Sequence, residues 1–415
     1  MKIAVLIGDG MGDYPLDKLG GKTPLQFASI PNIRRIAAVG TVRLVTTVPD
    51  GMPPGSDVAN LSIMGFDPRQ YYTGRAPIEA AGAGVDMADD DVAFRCNLIT
   101  VAQDLIQDHS AGHITTTEAR QIIEELGKRL GKDGLRFFTG TSYRHLLIWK
   151  NGPADLATTP PHDVLGQPVG KHLPQGKRLA EVLKLMEASK PILAKHPVNL
   201  ARRKAGQNEA THIWLWGQGR RASLPSYQEA FGLAGGVITA VDLVRGIGKL
   251  AGLEANPVPG ATGFTDTNYA GKVQAALDTL KRLDFVFVHV EAPDECSHMG
   301  DLLKKISAIE AFDQQIVGPM LKGLQTLGCP YRLIIGTDHC TPVSVRNHTR
   351  DPVPIAIMEG PVKMALAEKP FDESVDGGKS QGLVFEWLKT VFRSAQSYGA
   401  EPELSFTHPA QQGES

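Results

Sequence analysis

Residues 331–342 read YRLIIGTDHCTP, and how this stretch is read decides the fold. The apolar run RLIIG at 332–336 ends abruptly in Asp338 and His339. Taken alone, that ending is a strand giving way to a polar turn, because acids, Gly and Thr gather where strands stop. Two other strands end in the same way. Residues 2–7, KIAVLI, run into GDGMGD and place Asp9 just past the strand's carboxyl end. Residues 284–290, DFVFVHV, run into EAPDECSH and place Asp294 and His298 just past theirs. His348 follows in RNHTRDPVP.

These runs, with IWLW at 213–216, are short and apolar on both faces, as expected of strands covered on each side by helices. Helical periodicity runs through 119–131, 178–189, 240–251, 270–282 and 302–327. Strands alternating with helices predict an α/β fold with a mostly parallel sheet flanked by helices. From about 85 to 190 the strand candidates DVAFRCNLITVAQ, LRFFTG and YRHLLIWKNG are more amphipathic, and a Pro-rich connection occupies 153–174. The expected organisation is a core of 1–84 and 191–405, an inserted smaller α/β lobe at 85–190 with hinge-like connections, and a loose tail at 406–415.

Bulk properties narrow the partners. The 415 residues are 42% hydrophobic and 21% charged, the proportions of an ordinary soluble globular protein. A net charge of -2 gives no electrostatic case for nucleic acid or an anionic membrane as partner, so any anion site must be local. Cys96, Cys296, Cys329 and Cys340 are scattered without a CxxC pattern and read as reduced thiols of a cytoplasmic protein. The apolar run at 3–7 is too short for a signal-peptide core, and no apolar segment approaches the ~20 residues needed to cross a bilayer.

In open α/β sheets, ligands bind outside the carboxyl ends of the strands. Carboxylates and imidazoles delivered to one such edge, without a thiolate pattern, suit Mn, Zn, Co or a similar divalent ion. Six such groups exceed the needs of one catalytic ion with an open position and fit a two-metal site. The four-residue step from Asp294 to His298 puts both on one side of a helical turn. Cys296 and Cys340 lie within these loops as neighbours rather than ligands. Ser56, in DGMPPGSDVANLSIMG at 50–65, follows a Pro/Gly loop and opens a helix-like run. A serine there is an ordinary helix start, but backbone N–H groups and the helix dipole also favour an anion at that place. Beside a metal ion its hydroxyl would become a nucleophile.

The motifs GDGMGD, GSDVANLSIMGFDP, HVEAPDECSHMGD, GTDHCTP and HTRDPVP occur in the order seen in the alkaline phosphatase superfamily. The chain most resembles 2,3-bisphosphoglycerate-independent phosphoglycerate mutases of the archaeal type. The likeness extends through FRCNLITV, DHSAGHI, VDLVRGIGKLAG and GATGFTDTNYAGK, and so over essentially the whole length. It implies an alkaline-phosphatase-like core holding two divalent metal ions (Mn, Zn, Co or Mg). One would be bound by Asp294, His298 and His348, the other by Asp9, Ser56, Asp338 and His339. It further implies that Ser56 takes the phosphoryl group of 3-phosphoglycerate and returns it to the other hydroxyl of the retained glycerate. A small phosphorylated substrate would then be the partner. Asp108, His113, Arg95, Arg144, Arg220 and Lys272 are the candidates for holding its organic part. One departure leaves a second acceptor open. The longer bacterial mutases carry an Arg-x-x-Asp-Arg motif after the return strand, whereas this chain reads IWLWGQGRRASLP, like bacterial relatives proposed to be homoserine kinases.

Overall fold

The computed structural model describes residues 1–361 and 369–395, so the 406–415 tail lies outside the described residues. A six-stranded sheet runs in the order Gly235–Ile238, Phe285–Val290, Lys2–Gly8, Tyr331–Gly336, Val353–Gly360, Thr41–Val45. The first four strands are parallel, and Val353–Gly360 is antiparallel to both of its neighbours. The three strands read first from the sequence lie side by side at its centre.

Their two-sided apolar composition follows from the pleat, which sends alternate side chains to opposite faces. Ala4, Leu6, Val286, Val288, Leu333 and Ile335 enter one core, while Ile3, Val5, Ile7, Phe285, Phe287 and Ile334 enter the other. Register matters as much as burial. Gly8 pairs with Val290 and Ile7 with Gly336, so the chain emerges from all three strands at one level. Continuing that register two residues sets Asp9 beside Asp338.

A second sheet is antiparallel. Asp91–Ala102 lies between Arg144–Lys150 and His212–Arg220, with Leu135–Phe138 beyond the former and Leu105–Asp108 pairing the end of the long strand. Helices Thr116–Leu130 and Leu179–Lys195 close its core through Ile122, Ile123, Leu126, Val182, Leu185 and Met186. The 213–216 run is a strand as expected, but it belongs to this sheet and not to the parallel one. The chain therefore contributes to the second sheet well past residue 190. Its side chains Ile213, Trp214, Leu215 and Trp216 are all buried in the second core, which accounts for a pattern that reads like that of a central parallel strand.

Helix Arg75–Ala83 crosses helix Asp242–Leu250 at close range. A Cβ added at Gly82 would strike the Asp242 carbonyl, and one at Gly246 would strike that of Ile78. The two glycines thus set how deeply the helix that begins at Arg75 can sit. Below the parallel sheet's edge, Lys272 is 1% exposed and donates from Nζ to the His289 carbonyl at 2.9 Å. Burial lowers its pKa from 10.5 to about 8.

Two outcomes follow. Gly246→Ala should force the helices apart and lower stability by about 1–3 kcal/mol, read from the denaturant midpoint. For Lys272, the folded pKa lies below the unfolded value, so between pH 8 and 10.5 the unfolded chain holds more protons. Stability relative to Lys272→Met should therefore rise with pH across that window, by roughly 3 kcal/mol in all. Paired denaturant titrations at several pH values measure this, and a flat difference would contradict it.

Candidate metal centre and cavity

Each strand end supplies part of one cluster. Asp9 follows Lys2–Gly8. Asp294 and His298 lie on the helix Ala292–His298 that follows Phe285–Val290, and Asp338 and His339 follow Tyr331–Gly336. Ser56 is the first residue of helix Ser56–Ile63, and its Oγ is 3.1 Å from His339 Nε2. The same nitrogen is 3.3 Å from Asp9 Oδ1 and 3.5 Å from Asp338 Oδ2. On the other side, His298 Nε2 is 3.1 Å from Asp294 Oδ2, His348 Nε2 is 3.6 Å from Asp294 Oδ1, and the two imidazole nitrogens are 3.0 Å apart. All seven side chains expected from the sequence therefore converge. Ligand atoms of Asp9, Asp338 and His339, and of Asp294, His339 and His348, lie within 4.8 Å of one another in two groups that share His339.

The electrostatics call for positive charge here. Burial, then Asp338, Asp294 and Glu291 nearby, push the Asp9 carboxyl well above its ordinary value. Asp338 is also raised, chiefly by burial. Burial opposes the charge on Asp294, yet His348 and His298 outweigh it and hold its carboxyl well below the usual range. Burial likewise opposes the charge on His298, and Asp294 outweighs it to bring His298 up to about 9. Asp9 Oδ1 is buried and accepts no hydrogen bond among the described residues. His339 Nε2 can carry at most one hydrogen for the three oxygens around it. Carboxylate, imidazole and hydroxyl donors crowded in this way fit divalent cations.

Several supporting residues were not singled out from the sequence. Thr341 Oγ1 donates to Asp294 Oδ1 at 2.6 Å and lies 3.1 Å from His339 Nδ1. Asn60 Nδ2 donates to Asp338 Oδ2 at 2.8 Å and to the Ser56 carbonyl at 2.9 Å. Asn60 was within reach of sequence reasoning, being one helical turn beyond Ser56. His289 Nε2 is 3.1 Å from Asp9 Oδ2. Lys305, fully buried, donates to the carbonyls of Gly12 and Thr341 at 3.0 and 2.9 Å and to Asp13 Oδ2 at 2.8 Å. It thereby ties the loop after the first strand to the loop after Tyr331–Gly336. Gly10, at φ 62°, allows this approach, because a Cβ there would meet Asp294 Oδ1 at 2.6 Å and Thr341 Oγ1 at 2.7 Å.

Asp9 and Ser56 open into a cavity of about 830 Å³ between the carboxyl end of the parallel sheet and the antiparallel one. The antiparallel side contributes Arg95, Phe138–Thr141 and Arg144–Leu146, while Arg75, Glu79, Glu291 and Glu295 come from the other elements. Of the substrate candidates, Arg95 and Arg144 line this cavity. Asp108, His113, Arg220 and Lys272 do not. The Asp108 carboxylate accepts from Ser110, Gly112 and Asn208 and staples its own loop. His113 is exposed at φ 50°. Arg220 lines a separate polar recess with Asp89 and Lys249. Lys272 lies beneath the sheet edge, as described above.

Comparison with known proteins agrees with this arrangement. A family model described as 2,3-bisphosphoglycerate-independent phosphoglycerate mutase matches residues 37–199. A curated protein of that name from Methanosarcina barkeri is 51% identical over 385 residues, 92% of this chain and 97% of the relative. Among solved structures, the PH0037 protein of Pyrococcus horikoshii aligns with a TM-score of 0.78 at 28% identity, over 95% of this chain and 97% of that one. The cofactor-independent phosphoglycerate mutase of Thermoplasma acidophilum shares the fold, with a TM-score of 0.59 at 24% identity over 94% and 98% of the two chains. The sequence likeness runs nearly end to end in both partners, and on that ground the chain belongs to the 2,3-bisphosphoglycerate-independent phosphoglycerate mutase family.

Proposed function

We propose that this chain interconverts 3-phosphoglycerate and 2-phosphoglycerate without 2,3-bisphosphoglycerate, passing the phosphoryl group through Ser56. The observation that carries the reading is the place of Ser56 Oγ, 3.1 Å from His339 Nε2 within the carboxylate-imidazole cluster and facing a cavity lined by arginines and carboxylates. Asp294, His298 and His348 would hold one divalent ion, and Asp9, Asp338, His339 and Ser56 a second. When bound, such ions supply positive charge that shields the transferring phosphoryl and favours the ionised serine.

The remaining chemistry belongs to the chain. Ser56 Oγ forms the new bond to phosphorus as the bond to the glycerate oxygen breaks, leaving phosphoserine and bound glycerate. Glycerate then turns, and its other hydroxyl takes the phosphoryl group back while Ser56 Oγ leaves. The backbone N–H groups of Ser56 and Asp57 open their helix and take no hydrogen bond among the described residues, so they favour the phosphate dianion. Tyr72 fixes this helix start by donating to Asp57 Oδ2 at 2.7 Å. The 85–190 lobe forms the far wall of the cavity, and its closure over bound glycerate keeps water from the phosphoserine. The family model and the relative described above carry the mutase name rather than that of a homoserine kinase.

Metal-loaded protein should interconvert the two phosphoglycerates in an enolase-coupled assay, and phosphorus NMR should show no net release of phosphate. Ser56→Ala should reduce turnover by at least about 1000-fold, since it removes the nucleophilic hydroxyl. Chelation should abolish turnover, and Mn or Co should restore it with two equivalents bound per chain. Absence of interconversion in fully loaded protein would overturn the reading.

A further inference from the structure

Arg75 and Arg95 come from different elements, the start of helix Arg75–Ala83 and the middle of strand Asp91–Ala102, yet one carboxylate serves both. Glu79, one helical turn beyond Arg75, accepts from Arg75 Nε through Oε1 at 2.9 Å. Its Oε2 lies 3.1 Å from Arg95 Nε, an ion pair without hydrogen-bond geometry. Arg95 is only 5% exposed, and its guanidinium carbon sits over the Trp216 ring, 4.7 Å from the centroid. The terminal nitrogens of both arginines take no hydrogen bond among the described residues. All three side chains line the cavity that also contains Ser56.

This arrangement carries an uncommitted positive charge. Two guanidinium groups and one carboxylate leave a net charge of about +1, with the donor forks unused on the cavity side. The Trp216 ring over Arg95 and the Glu79 carboxylate, bonded to Arg75 and ion-paired with Arg95, hold the forks before any ligand arrives. A planar anion with two oxygens matches two such forks. On the mutase reading, the substrate has one group of that kind that neither gains nor loses phosphoryl: its carboxylate.

We propose that Arg75 and Arg95, with Glu79 as the positioning residue, form the clamp for the substrate carboxylate. This clamp, and not the metal-serine end, sets the preference for a phosphorylated hydroxy acid over a phosphate ester lacking a carboxylate. The proposal rests on the mutase reading and adds the anchor about which glycerate turns.

The test uses full-length, metal-loaded protein with Ser56→Ala to prevent turnover. Isothermal titration compares D-3-phosphoglycerate with sn-glycerol 1-phosphate, which keeps the phosphate and the configuration of the central hydroxyl but carries a hydroxymethyl group in place of the carboxylate. The parent should prefer phosphoglycerate, and adding Arg75→Met should shrink the ratio of affinities by about 10- to 100-fold. Arg75→Lys keeps the charge without the fork and should shrink it by less, as should Glu79→Gln. Arg75 is partly exposed, so its replacement leaves the sheet core intact, and the Lys variant covers a folding failure of the Met variant. An unchanged ratio, or equal weakening of both ligands, would overturn the clamp alone. Failure of the parent to bind phosphoglycerate would overturn the mutase reading and the clamp with it.

Discussion

The constraint on which this structure depends is the burial of like charges. Asp9, Asp294 and Asp338 lie at one rim of the parallel sheet with almost no exposure to water. Carboxylates so placed repel one another through a medium that screens weakly, so the fold holds them only with compensating positive charge or protons. The half-buried His298 imidazole, hydrogen bonds from Thr341, Asn60 and Gly10, and the divalent ions proposed above all answer that demand. The parallel strands matter because they deliver these groups in register. The second sheet matters because it roofs the same rim with arginines, the opposite charge.

The division of labour between the two ends of the cavity follows from the chemistry of each donor set. Oxygen and imidazole donors around Ser56 suit small cations and, through them, a phosphoryl group. Guanidinium forks suit planar oxyanions that must be held in a fixed orientation. A substrate that is rearranged rather than consumed needs both: one end where bonds change and one where nothing does.

Much of this was legible in the sequence because strand ends are local. Apolar runs of two-sided composition, each followed by Asp or His, fix the position of those side chains relative to the sheet without any knowledge of the rest. What escaped the sequence was whatever depends on which surfaces meet. Strands Thr41–Val45 and Val353–Gly360 carry weaker signals, because the first is partly exposed at the sheet edge and the second begins with the Val-Pro of VPIAIMEG. Residues 213–216 read as a parallel strand, because burial on both faces looks alike in either sheet. Glu79 sits in RAPIEAAG and reads as an ordinary helix surface residue, while its two partners lie four and sixteen positions away on separate elements. Asp108 and His113 come from a polar loop motif that lies outside the cavity, where the Asp108 carboxylate closes a local turn.

Lys305 gives the metal loops a property of their own. Its ammonium occupies three acceptors from two loops, so those loops are already joined by a cation built into the chain. Ions arriving from solution then find a scaffold that needs little rearrangement, and the entropy of ordering those segments is met during folding rather than at each loading event. A centre arranged in this way would receive its ions on loops already held in place by a charge of the chain's own.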